Sequence, residues 1–385
     1  MVFPLQLIRG ALNFFMSEYL SALAAIIWLI TALLPWQPWR AREILEVDKL
    51  GTVNLSDVTV IIPARDEALV IADTLQSLKM QGQGLHIILV GDESTDGTAE
   101  IALKQKVVGL TIIHSEPLPE GWTGKLWAQE QGLQAVKTPV TLLLDADIHL
   151  MPGILASLIN KRDSENLQFV SLMAMLKVDS FWEKMLMPAF IYFFKILYPF
   201  ALANNPKSKM AAAAGGCILV DTAALQKIGG MAAIKGAVID DCSLAKKIKQ
   251  AGYKTWVGLT HGVISQRPYV SLIEIWDMVA RTAYTQLLYS NSLLLACTFM
   301  MTLMYVLPLI GLIYFSGKAW FFSLFSIVLM LGLYLPTLRF YALNRAWALC
   351  MPAIAGLYLL MTWTSAIRYW QGERSRWKGR IYQKG

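Results

Sequence analysis

Long uncharged apolar segments occur near both ends of this chain, whereas its middle is mixed in polarity. Four such runs, of 21, 24, 20 and 22 residues, cover positions 19–39, 292–315, 319–338 and 346–367. A helix needs about 20 apolar residues to cross the hydrocarbon core of a bilayer. We therefore expect a membrane anchor within 1–42 and about three transmembrane helices within 292–367. Buried helices of a soluble protein are the alternative.

Between these runs, short β-branched segments alternate with segments of helical periodicity. The strand pattern predicts strands at 58–62, 86–90, 110–113 and 140–144. Apolar residues at helical spacing predict helices at 68–80, 99–106, 126–136 and 242–251. Strands that alternate with helices form βαβ units around a mostly parallel sheet. The fold class is therefore α/β, with a Rossmann-like domain over 57–290 and transmembrane helices on either side.

Two aromatic segments inside that domain, 182–203 and 269–289, are apolar but carry charges such as Glu183, Lys195 and Arg281. A spanning helix at 182–203 would divide the domain between two sides of a membrane. Helices that lie in the membrane interface are more consistent with this mixture, and we expect both segments to border a lipid entrance beside the ligand site of the domain. Ordinary core helices remain an alternative.

Composition supports a membrane protein and removes several other classes. Of 385 residues, 56% are hydrophobic and only 16% are charged, against about 25% charged in soluble domains. Disorder and a collagen-like chain are excluded, and nucleic acid is not an expected partner. The four cysteines include no Cys-x-x-Cys pair, so neither a disulfide framework nor zinc spacing is present.

The net charge of +7 is concentrated at the end of the chain, where residues 368–385 hold six basic residues and one acid. This basic tail suits anionic lipid headgroups. Arg40 and Arg42 follow the first apolar run, so the positive-inside rule places the domain in the cytoplasm, on a multi-pass inner membrane protein. Three further spans would put the basic tail outside. Either one apolar run does not span, or the tail breaks the rule.

Acidic residues follow two of the predicted strands, and the ligands of parallel sheets bind at the carboxyl ends of strands. Asp145 and Asp147 come directly after the run 140–144. Mg²⁺ or Mn²⁺ is commonly held by one or two carboxylates and substrate phosphates. A solvated turn is the alternative.

Asp92 follows the second strand and begins a polar loop, in which Ser94, Thr95 or Asp96 is expected to cap the next helix. Beyond it, Gly124 and Lys125 begin a helical stretch. A lysine at a helix start suits an anionic ligand better than it suits the helix dipole. A surface lysine is the alternative.

Asp240 and Asp241 begin the predicted helix after 238–239. Acidic residues are favourable at a helix start. Adjacent carboxylates also repel, which raises a pKa and can make one of them a general base. The small residues 211–217 would let a ligand approach the backbone; a tightly packed strand is the alternative.

Together, these motifs resemble the family 2 glycosyltransferases, which are inverting enzymes of the GT-A fold. The resemblance covers about 57–290. Its details also resemble the membrane-bound hopene-associated glycosyltransferase subgroup. The motifs are PARDE (63–67), GDESTDGT (91–98), GKLWA (124–128), DAD (145–147), GGC (215–217) and the Asp240–Asp241 pair, with GWTGKLWA, HGVISQRPY, WDMVARTAY and WKGRIY for the subgroup.

The resemblance implies roles for individual residues. Asp241 would be the catalytic base, and Asp147 with Asp145 would hold Mg²⁺ or Mn²⁺. Asp240 stands where the family keeps a glutamate, so its role is less defined. The residues implied in binding the nucleotide-sugar donor are Pro63, Arg65, Glu67, Asp92, Lys125, Asp145, Gly216, Asp240 and Arg281.

One departure from the family pattern bears on the reaction. Many relatives carry Gln-x-x-Arg-Trp beyond the base, whereas this chain has Trp276-Asp-Met-Val-Ala-Arg281. The resemblance therefore implies a single sugar transfer to a membrane lipid acceptor, such as a hopanoid, another isoprenoid or a polyprenyl phosphate. A processive polysaccharide synthase, a lipid-binding scaffold without activity and a nucleotidyltransferase are the alternatives.

Overall fold

An eight-stranded sheet forms the centre of the protein in this computed structural model, which describes residues 3–48, 53–377 and 380–383. The strand order is β3-β2-β1-β4-β7-β6-β8-β5. The strands are β1 (Val58–Ala64), β2 (His86–Gly91), β3 (Leu110–His114), β4 (Val140–Leu144), β5 (Ile148–Leu150), β6 (Phe169–Met175), β7 (Cys217–Asp221) and β8 (Thr255–Ser265).

The sheet is parallel on one side and mixed on the other. β1 pairs in parallel with both β2 and β4, and β2 with β3. β7 then runs antiparallel to β4 and β6. The predicted α/β class with a GT-A sheet is confirmed, and all four predicted strands begin where the pattern placed them.

Helices cover both faces of the sheet, which is why β1 is buried along its whole length. Val60 and Ile62 pack on one face, and Ile61 packs on the other. The first face carries α2 (Ile71–Lys79), α3 (Thr98–Lys104) and α5 (Ile154–Glu165); the second carries α4 (Gly124–Gln134), α8 (Thr222–Lys227) and α9 (Asp240–Gln250).

A third group of helices joins the sheet domain to the apolar helices. The charged residues of α6 are satisfied inside the protein: Glu183, 1% exposed, caps its N-terminus, and Lys195, 3% exposed, contacts Glu43 and the Arg40 carbonyl. These helices are α6 (Phe181–Leu197), α7 (Phe200–Ala203), α10 (Leu272–Ala280) and α11 (Ala283–Gln286).

Four helical segments are long and apolar enough to cross a membrane. Ser21 contacts Ser323, and Trp28 packs in one cluster with Met330, so the first and third of them run side by side in the same direction. The helices are α1 (Phe3–Leu33), α12 (Asn291–Met301) continued through a π-helical turn into α13 (Leu307–Tyr314), α14 (Gly317–Phe340) and α15 (Met351–Trp370).

The last of these, α15, lies across the group formed by α6, α10 and α11. The Tyr358 hydroxyl donates to the Leu186 carbonyl at 2.8 Å, and Trp276 donates to Thr364 at 3.1 Å. Near its end, Arg368 pairs with Asp277 at 2.5 Å. The helix therefore contacts α6 and α10 from its middle to its C-terminus.

A short antiparallel hairpin follows α15, formed by β9 (Glu373–Trp377) and β10 (Arg380–Gln383). It returns to the sheet domain, where Arg374 donates to the Gly236 carbonyl at 3.0 Å and Arg380 pairs with Asp92 at 2.7 Å. The sequence predicts that the basic tail contacts lipid headgroups, whereas Arg374 and Arg380 contact the sheet domain. Lys378 and Lys384 lie outside the described residues.

One local prediction is wrong. None of Ser94, Thr95 or Asp96 is the N-cap of α3; Gly97 is, with a left-handed φ of 84°. Asp96 instead accepts hydrogen bonds from the Thr98 and Ala68 backbone amides. The polar loop therefore holds the 65–68 segment in place as well as starting the helix.

Candidate active site

A cavity of about 340 Å³ lies where β1 and β4 end and α4 and α9 begin. Most of the candidate residues from the sequence meet here. Lining it are Pro63, Glu67, Lys125, Asp145, Asp147, Gly216, Asp240, Asp241 and Arg281.

Lys125 connects the acidic groups of the cavity. It is the second residue of α4, and its Nζ lies 2.7 Å from Asp145 Oδ1 and 3.7 Å from Asp240 Oδ2. Burial alone would lower the pKa of Lys125, but Asp145 and Asp240 outweigh it and raise the pKa above its usual value. Lys125 is therefore a permanent cation between Asp145, which follows β4, and Asp240, which begins α9.

Asp241 lies beside Gly215, as the second residue of α9. Its Oδ1 accepts the Cys242 backbone N–H at 2.7 Å, and a Cβ on Gly215 would come within 3.6 Å of Oδ2. Burial, together with the charge of Asp240, raises the pKa of Asp241 to about 7. A carboxylate with this pKa can accept a proton near neutral pH.

Asp147 differs from its neighbour Asp145 in having an unpaired carboxylate. Among the described residues, no hydrogen bond or ion pair engages the Asp147 side chain, whereas Asp145 is held by Lys125. The same residues contain no cluster of three or more His, Cys, Asp or Glu that could hold a metal alone. Asp147 therefore fits a cation that takes its remaining ligands from a bound phosphate, as Mg²⁺ and Mn²⁺ commonly do.

Arg65 and Asp92 do not line the cavity but lie beside it. Arg65 donates to the Asp92 carbonyl at 2.9 Å and lies 3.4 Å from Glu93. Asp92 is 1% exposed, and its Oδ2 lies 2.7 Å from Arg380. A donor contact of Asp92 stays a prediction; in the structure its carboxylate faces an arginine of the C-terminal hairpin.

Apolar side chains line the same cavity as the carboxylates. Phe190 and Phe194 of α6 line it, with Met278 of α10. Arg267 and Tyr269 also line the cavity, and Arg281 stands with them. Acidic, basic and apolar groups therefore share one space.

The sequence did not single out several of these residues. Phe190 and Phe194 are one helical turn apart, so the apolar segment 182–203 did carry a signal, although not one that distinguished cavity lining from core. Arg267 stands within the quoted HGVISQRPY motif. Arg380 was counted only as tail charge, because nothing in its local sequence indicates a partner 288 positions away.

Part of the sheet domain matches a known family model. The domain has an α/β fold, and its cavity is lined by carboxylates at strand ends and helix starts and by apolar side chains. Residues 59–229, less than half of the chain, match the family model Glycosyl transferase family 2. The match covers most of the sheet but ends before Asp240 and Asp241.

Curated relatives match a shorter segment. The chain is 33% identical over 116 residues to the 4,4'-diaponeurosporenoate glycosyltransferase of Staphylococcus haemolyticus, and 33% identical over 117 residues to the Staphylococcus aureus protein of that name. Each alignment covers 29% of this chain and 30% of the relative. The chain thus spans less than a third of the curated relatives it matches.

Solved structures match more of the chain at low identity. The mannosyltransferase PcManGT from Pyrobaculum calidifontis, in complex with GDP-Man and Mn²⁺, covers 94% of this chain and 97% of its own at 16% identity and a TM-score of 0.49. Glucosyl-3-phosphoglycerate synthase from Mycobacterium tuberculosis, with Mn²⁺ and UDP, covers 60% and 79% at 15% identity and a TM-score of 0.40. At these values the likeness concerns the fold alone. The resemblance to the hopene-associated subgroup stays a prediction.

Proposed function

We propose that this protein is a membrane-bound, inverting family 2 glycosyltransferase that transfers one sugar from a nucleotide-diphosphate sugar to a lipid acceptor. The observation that carries the proposal is a cavity lined both by Lys125, Asp147 and Asp241 and by apolar side chains of α6 and α10. The charged groups suit a nucleotide-sugar donor, and the apolar side chains suit an apolar acceptor.

In this mechanism, Asp241 accepts the proton of the acceptor hydroxyl. The acceptor oxygen attacks the anomeric carbon as the bond to the nucleoside diphosphate breaks, which inverts that carbon in one displacement. Lys125 and Arg281 provide positive charge near the departing diphosphate. The Asp240 carboxylate also lies 3.7 Å from the Lys125 Nζ atom.

Asp147, with Asp145 beside it, would hold Mg²⁺ or Mn²⁺. A divalent ion at this position supplies charge neutralisation for the diphosphate of the donor. The unpaired Asp147 carboxylate supports this assignment. Mn²⁺ is also named with the Pyrobaculum and Mycobacterium proteins.

The acceptor is proposed to be an isoprenoid-type lipid, such as a hopanoid, another isoprenoid or a polyprenyl phosphate. Phe190, Phe194 and Met278 offer a surface that suits an apolar chain rather than a soluble sugar. The name of the staphylococcal relatives contains diaponeurosporenoate, a lipid-like acceptor, which is in keeping with this class.

The test is transfer by purified protein, with a panel of nucleotide sugars and either a bacterial lipid extract or soluble sugars as acceptors. We expect product, identified by mass spectrometry, to form faster with the lipid extract. Equal rates with both acceptor classes would contradict the lipid proposal, and no transfer from any donor would contradict the activity.

We further propose that three of the four apolar segments cross the cytoplasmic membrane and that α15 does not. Arg368, near the end of α15, pairs with Asp277 of α10, and Trp347, just before α15, packs on Phe181 at the start of α6. Both ends of α15 therefore lie at the same end of the bundle as the sheet domain. Its exposed residues Ala353, Leu360 and Ile367 recur every seven positions, which forms one apolar stripe for the membrane interface.

This arrangement removes the topological conflict of the sequence. With α1, α12–α13 and α14 as the spans, the sheet domain and the basic tail lie on the same side. The positive-inside rule then places both in the cytoplasm.

A further inference from the structure

The C-terminal hairpin contacts the donor side of the candidate site through two arginines. Arg380 reaches Asp92 at 2.7 Å and Glu93 at 2.5 Å, so its two terminal nitrogens engage two carboxylates. Arg374 donates to the Gly236 carbonyl, four residues before Asp240. One hairpin therefore contacts both the loop after β2 and the loop that leads to the catalytic pair.

Asp92 depends on this contact for its charge balance. It is almost fully buried, and the other cation near its carboxylate within the described part of the chain is Arg65, at 3.8 Å. A buried carboxylate without a close partner is strongly unfavourable. Arg380 is the closer partner and the one with geometry for a charge-assisted hydrogen bond.

Glu93 supports the same assignment from the exposed side of the loop. Its φ of 53° is unusual for a residue with a side chain, so the loop turns sharply at this point. The hydrogen bond from Arg380, followed by its charge, lowers the pKa of Glu93. Arg380 therefore holds both side chains at the turn.

The loops that these contacts join also contact each other. The Thr123 backbone N–H donates to the Lys235 carbonyl at 3.2 Å, which connects the segment before Lys125 with the segment before Asp240. The hairpin thus lies over the point where three loops of the candidate site meet. A tail that contacted only lipid headgroups would not bring Arg380 against these loops.

We propose that Arg380 is a positioning residue of the donor site, which acts through Asp92 and Glu93 to fix the nucleotide-binding loop. The proposal rests on the proposed function, because it assigns the loop after β2 to the donor. It gives the basic tail a role in donor binding in addition to its charge near the membrane.

The experiment measures binding of UDP and GDP, each with Mn²⁺, to the full-length protein in detergent. We expect Arg380→Ala to weaken binding of whichever nucleotide the wild type takes by about 10- to 100-fold, as for loss of a hydrogen bond to a charged group. Arg380→Lys should recover part of the affinity, because lysine keeps the charge but has no planar guanidinium to engage Asp92 and Glu93 together. In transfer assays, KM for the donor should rise more than kcat falls.

The matched control is Arg345→Ala, which removes the same charge from an exposed arginine that does not line the cavity and should leave the affinity close to wild type. If Arg380→Ala binds nucleotide as well as or better than wild type, the positioning role is wrong. Equal losses in Arg380→Ala and Arg345→Ala would also overturn it in favour of general electrostatic attraction. If Arg380→Ala does not fold, the Lys variant decides, since wild-type affinity in a folded Arg380→Lys protein would reject the role of the paired guanidinium contact. A wild type that binds neither nucleotide and transfers no sugar contradicts the proposed function instead.

Discussion

At the scale of single residues, the environment of Asp241 sets it apart from the other acids of the cavity. Lys125 lies within an ion-pair distance of Asp145 and Asp240. Asp241 accepts backbone hydrogen bonds from Cys242 and Gly215 and is less affected by Lys125, so burial and Asp240 dominate its pKa. Two adjacent carboxylates thus have different chemistry because only one of them faces the lysine closely.

The first residue-scale prediction concerns catalysis. Asp241→Asn should lower transfer by about 10²- to 10⁴-fold, the usual contribution of a general base, while donor binding stays near wild type. Wild-type turnover should also fall as the pH drops below about 7, where Asp241 becomes protonated. Asp221→Asn is the matched control, because Asp221 is another acid with a pKa raised by burial but does not line the cavity. Unchanged turnover in Asp241→Asn would refute the base assignment.

The same variant predicts a change in stability whose sign follows from the pKa. The folded pKa of Asp241 lies above the ordinary value, so its contribution to stability is present at low pH and is lost as the pH rises through about 7. Asp241→Asn should therefore raise the melting temperature at pH 8 and raise it less at pH 5. An equal gain at both values would show that the charge is not the cause.

The candidate site was predictable where its residues follow short apolar strands. Asp145, Asp147, Lys125 and Asp241 meet because the strand ends and helix starts of an α/β domain converge at one edge. Arg380 was not predictable, because its partner depends on the path of α15 across the domain. Phe190 and Phe194 were seen only as part of an apolar segment, since helical spacing is the same for core and for cavity lining.

At the scale of elements, the parallel half of the sheet was accessible from sequence and the antiparallel half was not. β1, β2 and β4 are continuous apolar runs closed by polar residues, which is the pattern of strands buried on both faces. β7 is preceded by alanines and glycines that carry no strand signal, and β8 contains Gly258 and Gly262. Its pairing with β6 depends on contacts far apart in the chain.

The N-terminal cap of α6 connects the sheet domain to the group of helices beside it. Glu183 accepts backbone N–H groups from Asp179, Ser180 and Tyr269, at 3.1, 2.8 and 2.7 Å. Burial alone would raise its pKa, but these bonds outweigh burial and lower it. One side chain therefore fixes both the start of α6 and the approach to α10.

We expect Glu183→Ala to lower the free energy of unfolding by about 1–3 kcal/mol, because three backbone N–H groups lose the acceptor that the buried Glu183 side chain provides. Glu274→Ala is the control, since Ser271 and Glu274 form the same capping box on α10 in an exposed position. Its cost should be about 1 kcal/mol or less. Thermal unfolding in detergent compares the two, and equal losses would show that burial of the Glu183 cap has no added effect.

At the scale of the whole molecule, the contacts of α15 bear on the proposed membrane topology. α12–α13 leaves the sheet domain and α14 returns to it, whereas α15 packs mainly on α10 and α11, with further contacts to α6, α12 and the π-helical turn after α12. In the proposed topology, the basic tail lies on the same side of the membrane as the sheet domain, as the contact between Arg380 and Asp92 requires.

Reporter fusions test this topology. A cytoplasm-active reporter after Gly385 should be active, and a reporter that works only outside the cytoplasm should be active when inserted at 315–316, between α13 and α14. The same external reporter after Gly385 is the control and should be silent. Activity of that external fusion would mean that α15 spans after all.

The contact between Arg380 and Asp92 also has a consequence for the order of assembly. The two residues are 288 positions apart, and α12 to α14 lie between them. During synthesis, the first strands emerge well before the three apolar helices, and Arg380 emerges after all of them. The loop after β2 can therefore reach its final form only once the bundle has been made, so that completion of the proposed donor site follows synthesis of the apolar helices in time.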